Sequence, residues 1–228
     1  MIEGLLAVRR YAVIATAAAM LCPTLVFAQP DKEKHSAAAP EGEGHHEDLS
    51  AVRPSVELMA SSVFRTVSAV VPIKHRLAAE VHYFGLPEVH PSVNVVQTAL
   101  SYQVPLGRFG FIAPGAGYYW GKDSNAPSAS VRWMVEAGPI VSEGLLVQGL
   151  TTPEDAERAQ IWDGNHVSLA MLNRKLEVGP TWEHIHIREE DEWKWGARVA
   201  ARVHERVMVQ AYVMTPGKTE WRGGFVIR

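Results

Sequence analysis

Cysteine is nearly absent from these 228 residues, Cys22 being the only one. That excludes a disulfide framework and any zinc site built on thiolates. After residue 28 no stretch stays apolar for about 18 residues, so no later helix is long enough to span a bilayer. A surplus of one charge sign is missing too: 22 Lys and Arg face 25 Asp and Glu, a formal net charge of −3. Nucleic acid is therefore not an expected partner, because nothing suggests a phosphate-binding basic surface. Tryptophan is missing from the first 119 positions, all seven lying at or beyond Trp120. What is present, 47% hydrophobic and 21% charged residues, excludes a wholly disordered chain and fits one domain with short extensions.

The first 28 residues read as an export signal. Arg9 and Arg10 end a short basic region, an uncharged apolar run follows from Tyr11 to Phe27, and Val26-Phe27-Ala28 suits a signal peptidase. Cleavage after Ala28 leaves Gln29 first and removes Cys22. An uncleaved anchor, a lipoprotein and a twin-arginine signal fit less well. Leu21 rather than a small residue precedes Cys22, and Arg9-Arg10 lies between Val8 and Tyr11-Ala12.

Residues 29–54 read as a disordered acidic tether. Asp31, Glu33, Glu41, Glu43, Glu47 and Asp48 face Lys32, Lys34 and Arg53, six carboxylates against three cations, with no aromatic residue. Such a segment cannot bury enough apolar surface to offset the entropy of ordering it.

From about residue 60 the dominant period is two. In residues 193–204 the odd positions are Trp193, Trp195, Ala197, Val199, Ala201 and Val203, and the even ones include Lys194, Arg198, Arg202 and His204. Side chains alternate across a strand, so one face is apolar and the other basic. Val207, Val209, Ala211 and Val213 oppose Met208, Gln210, Tyr212 and Met214, while Trp221, Phe225 and Ile227 oppose Arg222, Val226 and Arg228. Weaker alternation sets Val131, Trp133 and Val135 against Arg132, Met134 and Glu136, and Val81 and Tyr83 against Glu80 and His82. Leu100, Tyr102 and Val104 oppose Ser101 and Gln103, and residues 109–119 put Phe109, Phe111, Ala113 and Tyr119 on one face. Residues 55–62 also fit a helical stripe. Windows of about ten residues suit tilted strands that cross a bilayer.

The breaks alternate in length. Short ones carry turn chemistry at 72–74, Gly107-Arg108, Asn173-Arg174, Glu205-Arg206 and Pro216-Gly217-Lys218; longer polar ones fall at 85–91, 121–128, 151–165 and 188–192. The expected fold is all-β: an antiparallel up-and-down transmembrane β-barrel of about 10–12 strands over residues 55–228. Its polar interior would hold Glu80, Arg132, Glu136, Lys194, Arg198, Arg202 and Arg222. A dry interior could not hold so many ions unless they pair, whereas lipid accepts the Trp, Val and Ala face. Trp120, Trp182, Trp193 and Trp221 lie near strand ends, where an interfacial girdle sits. The competing architecture is a soluble periplasmic lipocalin-like barrel or sandwich with its charged face outward.

Export signal, acidic tether and ten-residue amphipathic strands with aromatic ends resemble Gram-negative outer-membrane β-barrel proteins as a class. The resemblance covers roughly residues 60–228 and implies outer-membrane lipid and the barrel-assembly machinery as partners. Members commonly end on an aromatic residue, whereas here Ile227 is followed by Arg228.

No cofactor is expected. His35, His45 and His46 in the tether are read as solvated rather than metal-bound. His184 and His186 share a strand face, but a chelate needs a third ligand, which Glu80 or His82 would supply only from an adjacent strand. His166 and Ser168, with Glu177 or Glu183, resemble faintly the His-x-Ser pair and carboxylate of outer-membrane lipid A deacylases, yet the surrounding residues add nothing. No enzyme is expected. A lining rich in Arg132, Lys194, Arg198, Arg202 and Arg222 favours passive transport of small solutes, anions included, by electrostatic focusing. A non-conducting structural barrel whose internal ion pairs stabilise it is the alternative.

Overall fold

A computed structural model describes residues 51–61, 65–86, 90–121, 125–150, 160–187, 190–215 and 219–228. The expected export signal and most of the expected tether, residues 1–50, lie outside the described residues, as does the turn at 216–218. Asp48–Arg228 forms one compact unit. It is a single antiparallel sheet of β1 (Ser55–Ala60), β2 (Arg65–Pro72), β3 (Leu77–Leu86), β4 (His90–Tyr102), β5 (Val104–Pro105), β6 (Gly110–Trp120), β7 (Asn125–Ala137), β8 (Ile140–Gly149), β9 (Gln160–Met171), β10 (Leu176–Ile187), β11 (Glu190–His204), β12 (Val207–Thr215) and β13 (Glu220–Ile227). Apart from β4 and β5, each strand pairs with its neighbours in sequence; β1 pairs with β13 and β4 with β6, so the sheet closes on itself. The two-residue β5 continues β4 past Gln103 on the same partner, β6. The result is a twelve-strand barrel with β5 as a small extra strand, as the period-two pattern predicts.

β1 settles the ambiguity of residues 55–62. It lies between β13 and β2, with Leu58 opposite both Phe225 and Val67. A helix there would leave two strand edges unpaired in the membrane, where each bare polar group costs several kcal/mol.

Alternation along β11 has the predicted sense. Arg198 is 0% exposed while its neighbour Val199 is 46% exposed. Val81, Leu100, Tyr102, Trp193, Trp195, Val209 and Trp221 all face outward and exposed, an apolar surface suited to lipid. β6 corrects one detail. Its aromatic odd face, Phe111, Ala113 and Tyr119, is buried inside, and the even face with Ile112 and Trp120 points out. Both faces of this strand are apolar, so alternation alone carries no contrast there. Phe109 lies outside this face, exposed in the turn before β6.

The connections at one end are tight: 73–76, 106–109, Gly138-Pro139, 172–175 and Glu205-Arg206. At the other end the strands run further than the polar breaks suggest. β4, β7, β9 and β11 begin at His90, Asn125, Gln160 and Glu190, inside segments expected to be loops. Polar residues are tolerated there because a rim projecting into water can keep its ladder, as Asn125 opposite Trp120 and Gln160 opposite Gln148 do. Antiparallel alternation also places the connection between β12 and β13 at this long end, not among the short turns. Trp120, Trp182, Trp193 and Trp221 gather at the same end.

The sheet turns a tight corner at β6. A Cβ on inward-facing Gly115 would lie 2.7 Å from Ser130 Oγ, and one on Gly117 would lie 1.9 Å from the Thr98 carbonyl oxygen. Without those side chains, Gln97 of β4 reaches across β6 and donates to Ser128 of β7 at 3.1 Å. Replacing Gly115 by Val is expected to destabilise the barrel by about 1–3 kcal/mol through overpacking. Urea unfolding in lipid vesicles measures this, and an unchanged midpoint would show the corner to be looser than described.

Candidate functional site: the barrel interior

The inward faces carry two kinds of side chain. In the half nearer the long connections, Met59, Phe84, Val95, Tyr119, Ala126, Leu145, Val147, Ile161, Ile185, Tyr212 and Met214 form one buried apolar cluster. These come from β1, β3, β4, β6, β7, β8, β9, β10 and β12, so the layer spans the cross-section. A pocket is lined by residues of this layer and of the polar wall together: Met59, Thr181, Glu183, Tyr212, Met214 and Arg222.

The charged residues are arranged around this layer. Arg222 of β13 grips Glu183 of β10 with two parallel bonds of 2.5 and 2.6 Å, and donates to Glu220 from Nε (2.8 Å) and Nη2 (2.9 Å). Lys194 Nζ lies 3.2 Å from the same Glu220 and 3.3 Å from Glu192, and Ser61 also donates to Glu220. Bidentate charged bonds of this kind are the strong ones. On β11, Arg198 donates to Glu177 at 2.8 Å, to Ser168 Oγ at 3.3 Å and to Gln210 Oε1 at 3.2 Å. Gln210 in turn donates to Glu57 at 2.6 Å. Gly179, opposite Arg198 on β10, lets the β9 backbone come close: a Cβ there would lie 2.6 Å from the Ser168 Cα.

A second group sits on the opposite wall. Glu80 of β3 accepts from Arg132 Nε (3.1 Å) and Ser101 Oγ (2.5 Å), and lies 3.0 Å from His82 Nε2. The Arg132 guanidinium also stacks over Phe111, 4.9 Å from the ring centre.

The short-turn mouth is covered by both flanks of the sheet. Arg228 passes across it to pair with Glu143 of β8, while its backbone N–H donates to the Arg206 carbonyl at 2.9 Å. On the other side Val52 packs on Val70 and Ala78, its N–H donating to His75 O at 2.9 Å, and Gln103 Nε2 donates to Ala51 O at 3.2 Å. The last residues of the expected tether are thus folded against the barrel.

Of the seven expected interior residues, Glu80, Lys194, Arg198 and Arg222 are buried and Arg132 is partly so. Glu136 shares their face but ends at the short-turn rim, paired with Arg174. Arg202 is exposed at the same rim. Glu57, Glu143, Glu177 and Glu220 complete the interior, along with Arg228. These carboxylates remove the basic excess that suggested anion preference, because Arg132, Lys194, Arg198, Arg222 and Arg228 each have an acidic partner. Glu220 was legible, having the same parity as Arg222; Glu57 and Glu143 lie in windows of weak contrast.

His184 and His186 are not interior residues. His184 stacks on exposed Trp193 of β11 (4.1 Å, 11° between rings) and lies 2.5 Å from Asp191, which is 3.6 Å from His186. Glu80 and His82 sit on β3, whereas β10 neighbours β9 and β11, so they supply no third ligand. Among the described residues no cluster of His, Cys, Asp or Glu is arranged to hold a metal. His166 and Ser168 do share the inward face, but Glu177 and Glu183 are held by Arg198 and Arg222, and the carboxylate beside His166 is Glu143 at 3.6 Å. Ser168 Oγ is engaged by Arg198, and both residues are buried.

Solved structures share this architecture. The NanC porin superposes with a TM-score of 0.51 at 9% identity, over 77% of this chain and 100% of that one. The KdgM porin in complex with disordered oligogalacturonate gives 0.49 at 12% identity, over 77% and 98%. A Rh. blastica porin mutant gives 0.40 at 13% identity, over 74% and 56%. No protein-family profile and no curated protein sequence matches the chain. The fold is that of a porin-like closed β-barrel.

Removing one member of a buried ion pair strands the other. Arg222→Gln is expected to cost about 3–5 kcal/mol, and Arg222→Gln with Glu183→Gln clearly less than the two single costs added together. A double-mutant cycle from urea unfolding in vesicles tests this; strict additivity would show that the two residues do not interact.

Proposed function

We propose that this protein is a passive pore for small polar solutes, shut in the conformation described, with no covalent chemistry. Export depends on residues 1–28, with cleavage after Ala28, and the barrel-assembly machinery inserts the chain. Glu80, Arg132, Lys194, Arg198 and Arg222 line the polar part of the path, with Glu136 and Arg202 at its short-turn mouth. The observation that carries this reading is the interior itself: a porin-like closed sheet encloses, beside its apolar layer, ion-paired polar side chains on opposite walls. Apolar constrictions of the kind formed around Phe84 and Tyr119 exclude water and act as barriers to ions. Passage requires that layer to part.

The pairing of every interior cation named above favours one second reading, a structural envelope barrel that never conducts. Planar-bilayer recording separates the two. A pore gives brief openings in the wild type and steps several-fold larger in Phe84→Ala/Tyr119→Ala, with folding of both verified by a gel band that shifts on boiling. Silence from both folded proteins would leave the structural reading. In the same preparation, N-terminal sequencing is expected to begin at Gln29; a chain that starts at Met1 would remove the cleaved signal.

A further inference from the structure

The short-turn rim repeats one local arrangement. An exposed apolar side chain stands beside an exposed cation: Ile73 with Lys74 between β2 and β3, and Phe109 with Arg108 before β6. Leu172 stands with Lys175 between β9 and β10, and Val203 with Arg206 at the turn from β11 to β12. Arg108 lies over its own partner's ring, 5.1 Å from the centre. Arg174 adds one more exposed cation, shared with Glu136. Among the described residues of these turns, Glu205 is the one exposed carboxylate. The bias is confined to this end: the sequence of the opposite connections is acidic, with Glu154, Asp155 and Glu157 against Arg158, and Glu189 to Glu192 against Arg188.

We propose that this rim binds the headgroups of anionic phospholipids in the leaflet it faces. Outer-membrane barrels direct their short turns to the periplasm, so that leaflet is the inner one. An apolar side chain set beside a cation matches the boundary between acyl chains and phosphates, where the first enters hydrocarbon and the second reaches the headgroup. The pairs sit on four of the five short turns and so are distributed around the perimeter. A protein partner would bury one contiguous patch, whereas an annulus of lipid meets the whole rim. Charge is complementary throughout, and the acidic opposite end could not serve the same ligand without added cations.

The test is electron spin resonance of spin-labelled phosphatidylglycerol and phosphatidylcholine around the full-length mature barrel in phosphatidylcholine vesicles. The wild type is expected to prefer phosphatidylglycerol by roughly three- to tenfold at low salt, with the preference fading as salt screens it. Lys74→Gln/Arg108→Gln/Lys175→Gln/Arg206→Gln is expected to bring the ratio close to one, with the barrel still shifting on a heat-modifiability gel. Lys74→Arg/Lys175→Arg keeps the preference. Equal affinity for both lipids in the wild type, or a preference unchanged in the fourfold variant, would overturn the proposal. So would a fourfold variant that keeps its lipid preference yet loses binding of soluble polyglutamate, which would assign the rim to an acidic protein.

Discussion

An ion taken out of water costs several kcal/mol unless its partner comes with it. Inside this barrel the cations Lys194, Arg198 and Arg222 are at most 8% exposed, and each touches at least one carboxylate. That pairing is what permits a strand such as β11 to be basic on one face and apolar on the other. The outer face must be apolar because it meets lipid; the inner face is polar only because Glu177, Glu183 and Glu220 arrive from other strands. Closing the sheet and neutralising its interior are therefore one event. A strand absent from the ring would leave an edge of bare N–H and C=O groups in hydrocarbon and an unmatched charge inside.

The closed sheet was legible because alternation is a property of each strand alone. Lys194 and Val199 announce their faces without reference to any neighbour, and β11 folds as its pattern dictates. What was not legible concerns relations between strands. Nothing in the order of residues says that Glu183 will meet Arg222 across two intervening strands, or that Arg228 will cross the mouth to Glu143. The acidic half of the interior was hidden for that reason: the cations were visible in high-contrast windows, while Glu57 and Glu143 sat in strands whose faces differ little. The direction of the β6 faces was not legible either, since Phe111 and Ile112 are both apolar and only packing decides which one turns inward. The partners of His184 were not legible from its own strand. Its ring lies flat on Trp193 and against Asp191, a partnership that requires the register between β10 and β11.

The two layers of the interior have different physical characters. Paired charges can exchange partners with water at modest cost when water is present, whereas the apolar layer around Phe84, Tyr119 and Tyr212 gives water nothing to bond to. A barrel with only the first would be wet and narrow. The two lie side by side near the long connections, where Tyr212 stands opposite Arg222 and Met214 opposite Glu220.

The ion pairs also link strands that are not neighbours. Arg222 ties β13 to β10, Glu80 ties β3 to β7, and Arg228 spans to β8. Ladder hydrogen bonds hold a cylinder's circumference but offer little resistance to flattening, because each strand pair can pivot about its shared edge. Chords drawn across the interior fix distances that pivoting would change. A membrane pressing sideways on this ring would meet a braced section rather than a hoop, and its cross-section would hold its outline as the surrounding bilayer thickens or thins.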